Sequence, residues 1–268
     1  MIDSTTSEKV TTKEFVPYSI SGTARLWEVD TLRGVAIVLM VFYHFMWDLN
    51  FFGVYQTHIL GTAWQSFARS IATMFIFVLG LSLTLSYNRE VQRSESGSLF
   101  RKYLLRGAKI FGWGLVITMA TYFFIGPRGF VIFGILHLLG FSVIVGYPFL
   151  KLNKWITLAT GIAVIAAGIY VDPLVSESPW FIWVGIKQLG RTMVDYYPAL
   201  PWFGISLVGI FVGYSLYSQG TRRFALPNWS AFALVRGLRF LGRHSLLIYL
   251  VHQPVIIGIF FALGYGTF

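Results

Sequence analysis

Long apolar runs separated by short polar stretches recur along the whole chain. Seven are long enough to cross a bilayer: residues 31–52, 66–87, 103–126, 130–150, 154–171, 199–217 and 244–264. A spanning helix needs about 20 largely apolar residues. The pattern therefore predicts an all-α integral membrane protein with about seven transmembrane helices, in a single domain over residues 1–268. Gly126-Pro127 and Asn153-Lys154 predict tight hairpins on either side of the fourth run. Residues 179–190 begin Pro179-Trp180-Phe181-Ile182-Trp183 and are apolar but too short to span. They read as an interfacial or re-entrant piece of an outer loop, 172–198, with tryptophans at headgroup depth. The chain shows no internal repeat and no low-complexity tract.

Loop charges orient these segments. Residues 88–102, 151–154 and 218–243 carry Arg89, Arg93, Arg101, Lys102, Lys151, Lys154, Arg222, Arg223, Arg236, Arg239 and Arg243. The alternate loops carry only Arg128, Lys187 and Arg191. Basic loops stay cytoplasmic, so the N-terminus is expected inside and the C-terminus outside. An eighth span at 179–190 would carry the 218–243 cluster to the wrong side and is disfavoured on that ground. Residues 1–30 are polar and mixed in charge, without the basic region and cleavage site of a signal peptide. They are expected to form a cytoplasmic N-terminal segment ahead of a retained anchor.

Composition agrees with the pattern. The chain is 56% hydrophobic and only 12% charged, outside the range of soluble domains. Its net charge of +10 would point to nucleic acid in a soluble protein. Here it points to basic cytoplasmic loops and to anionic partners, membrane lipid headgroups or a phosphorylated cofactor, and not to nucleic acid. With no cysteine, disulfides, thiolate metal sites and cysteine nucleophiles are excluded.

The first run carries ionisable groups where they are costly. His44 and Asp48 lie inside it, with Asp30 and Arg33 at its front edge. Such groups usually face a protein interior and mark function. His44 follows Arg33 by eleven positions, close to three helical turns or about 16 Å of rise, so the two share a face. Asp30 lies a turn before Arg33, and Asp48 a turn after His44. The stripe is expected to line a cavity or tunnel. His44 is its natural proton carrier. Asp48 is placed to fix the His44 tautomer and to stabilise the imidazolium, and Asp30 and Arg33 to pair or to bind an anion. A purely structural polar network between helices is the bland alternative.

Three further histidines are candidates. His137 lies in the fourth run between Gly134 and Gly140, as a site residue or a satisfied core histidine. His252 lies two turns into the last run beside Pro254, and His244 is expected at the interface. His58, in an outer loop, is a candidate substrate contact. No metal-ligand spacing appears, so no metal is expected.

The segment Trp27 to Leu49, with Asp30, Arg33, His44 and Asp48, resembles the opening of the transmembrane acyltransferase superfamily. The branch is that of the bacterial relatives of heparan-α-glucosaminide N-acetyltransferase. Phe75 to Gly80, Gly134 to His137 and Gly242 to Pro254 resemble further segments of the pattern, in order along the chain. The Arg33–His44 spacing is similar to that of membrane O-acyltransferases in the wider superfamily. This chain has His44 where that branch carries an asparagine, and His58 near that branch's histidine position. The resemblance implies acyl transfer across a bacterial inner membrane. The donor is cytosolic acyl-CoA, acetyl-CoA in the usual case, and the acceptor is a hydroxyl or amine of a sugar on the far side. It also implies a homodimer. The extra helices and luminal domain of the lysosomal enzyme are missing, so its glucosamine substrate is not carried over.

On this reading the catalytic candidates are His44, Asp48, His137 and His252. His44 is the general base of a direct transfer, with an acyl-histidine intermediate as the less favoured variant. Asp30, Arg33, Arg106, Arg239 and Arg243, with Arg101 and Lys102, form a basic cradle for the nucleotide end of the donor. Helix N-termini on the same side add to it. Two other classes compete. One is a small transporter or flippase for a sugar- or lipid-linked solute, which the missing repeat disfavours. The other is a non-enzymatic scaffold or sensor.

Overall fold

The computed structural model describes residues 26–93, 98–218 and 221–265. The cytoplasmic segment expected at residues 1–30 falls almost wholly outside them. Eight α-helices run in chain order: α1 (Trp27–Phe51), α2 (Thr62–Gln92), α3 (Leu99–Ile125), α4 (Ile135–Val145), α5 (Lys154–Val171), α6 (Ala199–Leu216), α7 (Ala233–Arg243) and α8 (Ser245–Ala262). Six of them, α1, α2, α3, α5, α6 and α8, are long and apolar enough to cross a membrane. Two-residue strands complete the elements. Parallel β1 (Val175–Ser176) and β2 (Lys187–Gln188) form one pair, and antiparallel β3 (Tyr217–Ser218) and β4 (Thr221–Arg222) the other.

The fourth expected span differs from the prediction. Its helix has 11 residues, about 16 Å of rise against a hydrocarbon core of about 30 Å. Residues 130–134 are not helical, and Pro148 opens a separate 3-10 turn at Pro148–Leu150. The segment still runs antiparallel along α3. The Val131 N–H donates to Thr121 Oγ1 near the end of α3, and Tyr147 packs on Tyr103 near its start. Non-helical backbone at such depth survives only where protein covers it. Here Val131, Phe133 and Ile135 are all buried.

Residues 179–190 form no helix beyond a 3-10 turn at Pro179–Phe181, followed by β2. Trp180 is exposed and Ile182 is fully buried, so one side of this short segment grips the protein. The region expected to be a basic loop, 218–243, contains α7. It is an amphipathic helix whose arginines, Arg236, Arg239 and Arg243, recur at three- and four-residue intervals.

α2 and α6 form the centre. Ile76 and Leu83 on α2 and Leu207 and Ile210 on α6 are essentially inaccessible. Small residues bring the two backbones together. A Cβ on Gly80 would strike the Ser206 carbonyl oxygen, and one on Gly209 the Phe77 carbonyl oxygen. Thr84 Oγ1 donates to the Ile210 carbonyl at 3.2 Å across the same contact. Lipid offers no hydrophobic contrast to drive helices together, so close packing and interhelical hydrogen bonds hold them. Gly161 and Gly204 do the same between α5 and α6, and Gly107 and Gly140 between α3 and α4. α1 packs on α2, α7 and α8.

Candidate functional site

Four polar side chains meet where α1 faces α8. The rings of His44 and His252 lie edge to face with centroids 4.8 Å apart. One turn further along α1, Asp48 accepts from Gln253 Nε2 through both oxygens, at 2.8 and 3.1 Å. Asp48 is only 1% exposed although it sits in a helix of membrane length. The i, i+4 spacing of His44 and Asp48 puts both on the α8 side, and the adjacent His252 and Gln253 answer them.

Backbone carbonyls set the tautomers. His44 Nδ1 lies 2.9 Å from the Met40 carbonyl oxygen. His252 Nδ1 lies 2.7 Å from the Tyr249 carbonyl oxygen and 3.2 Å from that of Ile248. A carbonyl oxygen only accepts, so in each neutral ring Nδ1 carries the hydrogen and Nε2 keeps the lone pair. The Met40 carbonyl thus takes the tautomer-fixing place expected of Asp48, whose partner is Gln253. His252 Nε2 is buried without a hydrogen-bond partner among the described residues, and so is Gln253 Oε1.

His137 stands elsewhere and in the opposite tautomer. Its Nδ1 accepts the Gly134 N–H at 3.2 Å, so Nε2 carries the hydrogen and faces Thr118 Oγ1 at 3.4 Å. It is 1% exposed between Phe111 and Phe133. That is a satisfied core histidine fastening the start of α4 to α3.

A second polar cluster occupies the far end of α1. Asp30 bridges Arg33 Nη1 and Arg243 Nε, each at 3.3 Å, and Arg33 Nη2 donates to Ser82 Oγ at 2.6 Å. Beside it, buried Glu28 takes Arg222 through two bonds, Nε at 2.6 Å and Nη2 at 2.7 Å, with the Tyr217 hydroxyl at 3.4 Å. Arg239 donates to the Ser230 carbonyl at 3.4 Å, and its Nε is buried without a partner among the described residues. Arg106 is exposed on α3, whose main packing partner is α4. His58 is exposed in the α1–α2 connection. Among the described residues no three His, Asp or Glu side chains gather as a metal would need.

Sequence reasoning missed Gln253, Ser82, Asp195 and Tyr249. Asp195 lies in the chain leading to α6 and accepts the Ile135 N–H at 3.1 Å, at the first residue of α4. Burial raises its carboxyl from an ordinary 3.8 to about 6, while the hydrogen bond from the Ile135 N–H pulls the other way. Gln253 and Tyr249 each lie next to or near His252, and that proximity was the only signal in the sequence.

A family model described as heparan-alpha-glucosaminide N-acetyltransferase, catalytic, matches residues 25–254. No curated protein and no solved structure matches the chain. The matched stretch contains the first seven helices and most of α8, including all four residues of the α1–α8 contact and both polar clusters of α1. The chain belongs to the heparan-alpha-glucosaminide N-acetyltransferase catalytic family, and with its six helices of membrane length it is a membrane-associated acyltransferase.

Proposed function

We propose that this protein transfers an acyl group, acetyl in the usual case, from cytosolic acyl-CoA to a hydroxyl or amine of a sugar-like acceptor across the membrane. The end carrying Glu28, Asp30 and Arg243 is the cytoplasmic one. On this reading the N-terminus lies inside and the C-terminus outside, with the α4 segment as a seventh crossing, in a bacterial inner membrane. Charge supports the orientation, since Arg89, Lys102, Lys151, Arg222 and Arg243 all lie at that end.

The observation that carries the reading is the pair of buried hydrogen-bond acceptors beside His44. His252 Nε2 and Gln253 Oε1 have no partner among the described residues. The amide is held in this sense because its nitrogen faces the Asp48 carboxylate. An unfilled buried acceptor costs about 1–3 kcal/mol. A hydroxyl or amine, the nucleophile of acyl transfer, is the hydrogen-donating group that fills both.

The step follows from these positions. A histidine Nε2 lone pair, on His44 or its neighbour His252, takes the acceptor proton as the acceptor oxygen or nitrogen attacks the thioester carbonyl. The new C–O or C–N bond replaces the C–S bond, and the imidazolium returns its proton to the departing CoA sulfur. On this proposal Arg239 and Arg243 receive the donor's phosphates, and a homodimer would present two such sites.

The test is thiol release from acetyl-CoA by purified protein in proteoliposomes, with amino sugars and neutral sugars enclosed. Release that requires an enclosed acceptor and leaves labelled acetyl on it is the expected result. Solute accumulation with no thiol release under any acceptor would overturn the reading in favour of transport.

A further inference from the structure

α3 carries cations on a face that no other helix covers. It is 27 residues long and the least buried of the six helices of membrane length. Lys109 is exposed although it lies ten residues past Leu99, about 15 Å of rise from the helix start. Arg101 and Lys109 stand one turn either side of Leu105, and all three are exposed. Neither of the two cationic side chains has a hydrogen bond or ion pair among the described residues. The adjacent Lys102, in contrast, pairs with Glu90 at 2.6 Å. An exposed cation this deep in an apolar helix is costly unless its stem reaches headgroup level or an anion meets it. The helix itself supplies no anion, because Leu99–Ile125 contains neither Asp nor Glu.

An open furrow runs beside these residues. Ala108, Gly112 and Leu115 of α3 line it with Phe141, Ile144 and Val145 of α4, around a volume of about 340 Å³. Every residue lining it is apolar. Arg101, Leu105, Ala108, Gly112 and Leu115 recur at steps of four and three, so the furrow continues a line that begins at Arg101. Gly107 and Gly114 have a role in packing α3 on α4, since a Cβ on the first would strike Ile144 and one on the second His137. Gly112 has no such role, because a Cβ there would meet nothing within 4 Å. Glycine inside a helix is destabilising against alanine. The bare backbone at Gly112 suits a chain from outside the protein lying against it.

We propose that this furrow holds an anionic phospholipid, its phosphate at Arg101 and Lys109 and one acyl chain along Ala108, Gly112 and Leu115. Charge decides between the two apolar occupants that a membrane offers. A second copy packed on the same face about a two-fold axis would set Arg101 and Lys109 against their own duplicates, with no acidic residue of α3 to answer them. A phospholipid brings the anion and the apolar chain in one molecule, and basic residues at the membrane surface gain from anionic headgroups. The inference rests on the fold and not on the acyltransferase reading.

The test is native mass spectrometry of the full-length protein, stripped of lipid in detergent and titrated with phosphatidylglycerol or with phosphatidylcholine of the same acyl chains. The wild type is expected to bind the first phosphatidylglycerol about 25-fold more tightly than the first phosphatidylcholine, from two basic contacts worth about fivefold each. Lys109→Gln and Arg101→Gln should each remove about fivefold of that preference. Arg236→Gln, the same change of charge on α7, should leave it intact. Gly112→Leu keeps every cation and fills the furrow, and phosphatidylglycerol should then bind about tenfold more weakly, as the loss of about two buried methylene contacts implies. Equal binding of the two lipids by the wild type, or the same loss in Arg236→Gln as in Lys109→Gln, would overturn the proposal. Wild-type binding in Gly112→Leu would also overturn it. So would a dimer mass that Gly112→Leu converts to monomer, which would give the furrow to a second copy. Lys109→Gln alters only an exposed residue, so the charge comparison decides the matter even if Gly112→Leu does not fold.

Discussion

His44 and His252 meet edge to face, 4.8 Å between ring centroids, from helices at opposite ends of the chain. Each gives its Nδ1 hydrogen to a carbonyl of its own helix, which leaves two Nε2 lone pairs near the α1–α8 contact. If one of them is the base, His44→Ala and His252→Ala should each retain the fold and lower thiol release from acetyl-CoA by about 10²–10⁴. His137→Ala is the contrast. His137 has both nitrogens engaged, so its loss should lower the apparent melting temperature far more than it lowers the rate per folded molecule. Wild-type turnover in His44→Ala would remove that residue from the chemistry.

Asp48 and Gln253 make a prediction about stability. Replacing Gln253 with leucine leaves the 1%-exposed carboxylate without its donor and should cost about 1–3 kcal/mol. Replacing both partners with leucine should recover most of that loss, since no unpaired polar group then remains. The readout is the thermal unfolding midpoint in detergent for the two singles and the double. Additive losses would show that the pair does not interact as the geometry has it.

How much of this could be read from the chain depends on the range of each contact. The six long helices were legible because bilayer thickness imposes a length on every apolar run. The stripe of α1 was legible as a set of costly residues at helical spacing. What each of those residues bonds to was not, because Asp48 and Gln253 lie 205 positions apart and Arg33 and Ser82 lie 49 apart. Local spacing suggested Asp48 for the His44 tautomer, yet a carbonyl one turn back is always within reach of a helical histidine. α4 was overlong in the prediction because apolar content marks burial and not helicity. α7 was missed because its charge marked the region as a loop, while the three- and four-residue recurrence of Arg236, Arg239 and Arg243 already carried a helical period.

The two ends of the molecule hold ion pairs of different worth. Glu28 is 9% exposed and takes Arg222 through two short bonds. Arg222→Ala strands that carboxylate and should cost about 3–5 kcal/mol. Lys187 and Asp172 pair at 2.8 Å, but with side chains 46% and 68% exposed. Lys187→Ala should cost no more than about 1 kcal/mol. Melting curves of the two variants under one detergent condition check the ranking, and equal losses would refute it.

Asp195 gives a dependence on pH. Its carboxyl is raised by burial to about 6 in the folded protein, from an ordinary 3.8. The folded state therefore binds the proton more tightly than the unfolded chain. The stability this supplies is complete below the unfolded value and is lost as pH rises through the folded one. Relative to Asp195→Asn, the wild-type melting temperature should fall between about pH 4 and about pH 7. Parallel pH profiles for the two proteins would show that the carboxyl does not titrate in that window.

Gly34 and Gly242 decide whether α7 can lie against α1. A Cβ on Gly34 would land on the Leu238 carbonyl oxygen, and one on Gly242 on the Asp30 carbonyl oxygen. Both contacts are with backbone, which cannot swing aside as a side chain can. Gly34→Ala should therefore push α7 away and break the Arg243–Asp30 bridge with it. Gly237→Ala is the control, because nothing lies within 4 Å of a Cβ there. Limited trypsin treatment in detergent reads the outcome at Arg236 and Arg239. Both should be cut faster in Gly34→Ala than in the wild type, while Gly237→Ala should match the wild type. Equal rates in all three proteins would mean that α7 is held by its apolar face alone, and that the close approach of the two backbones is not what seats it.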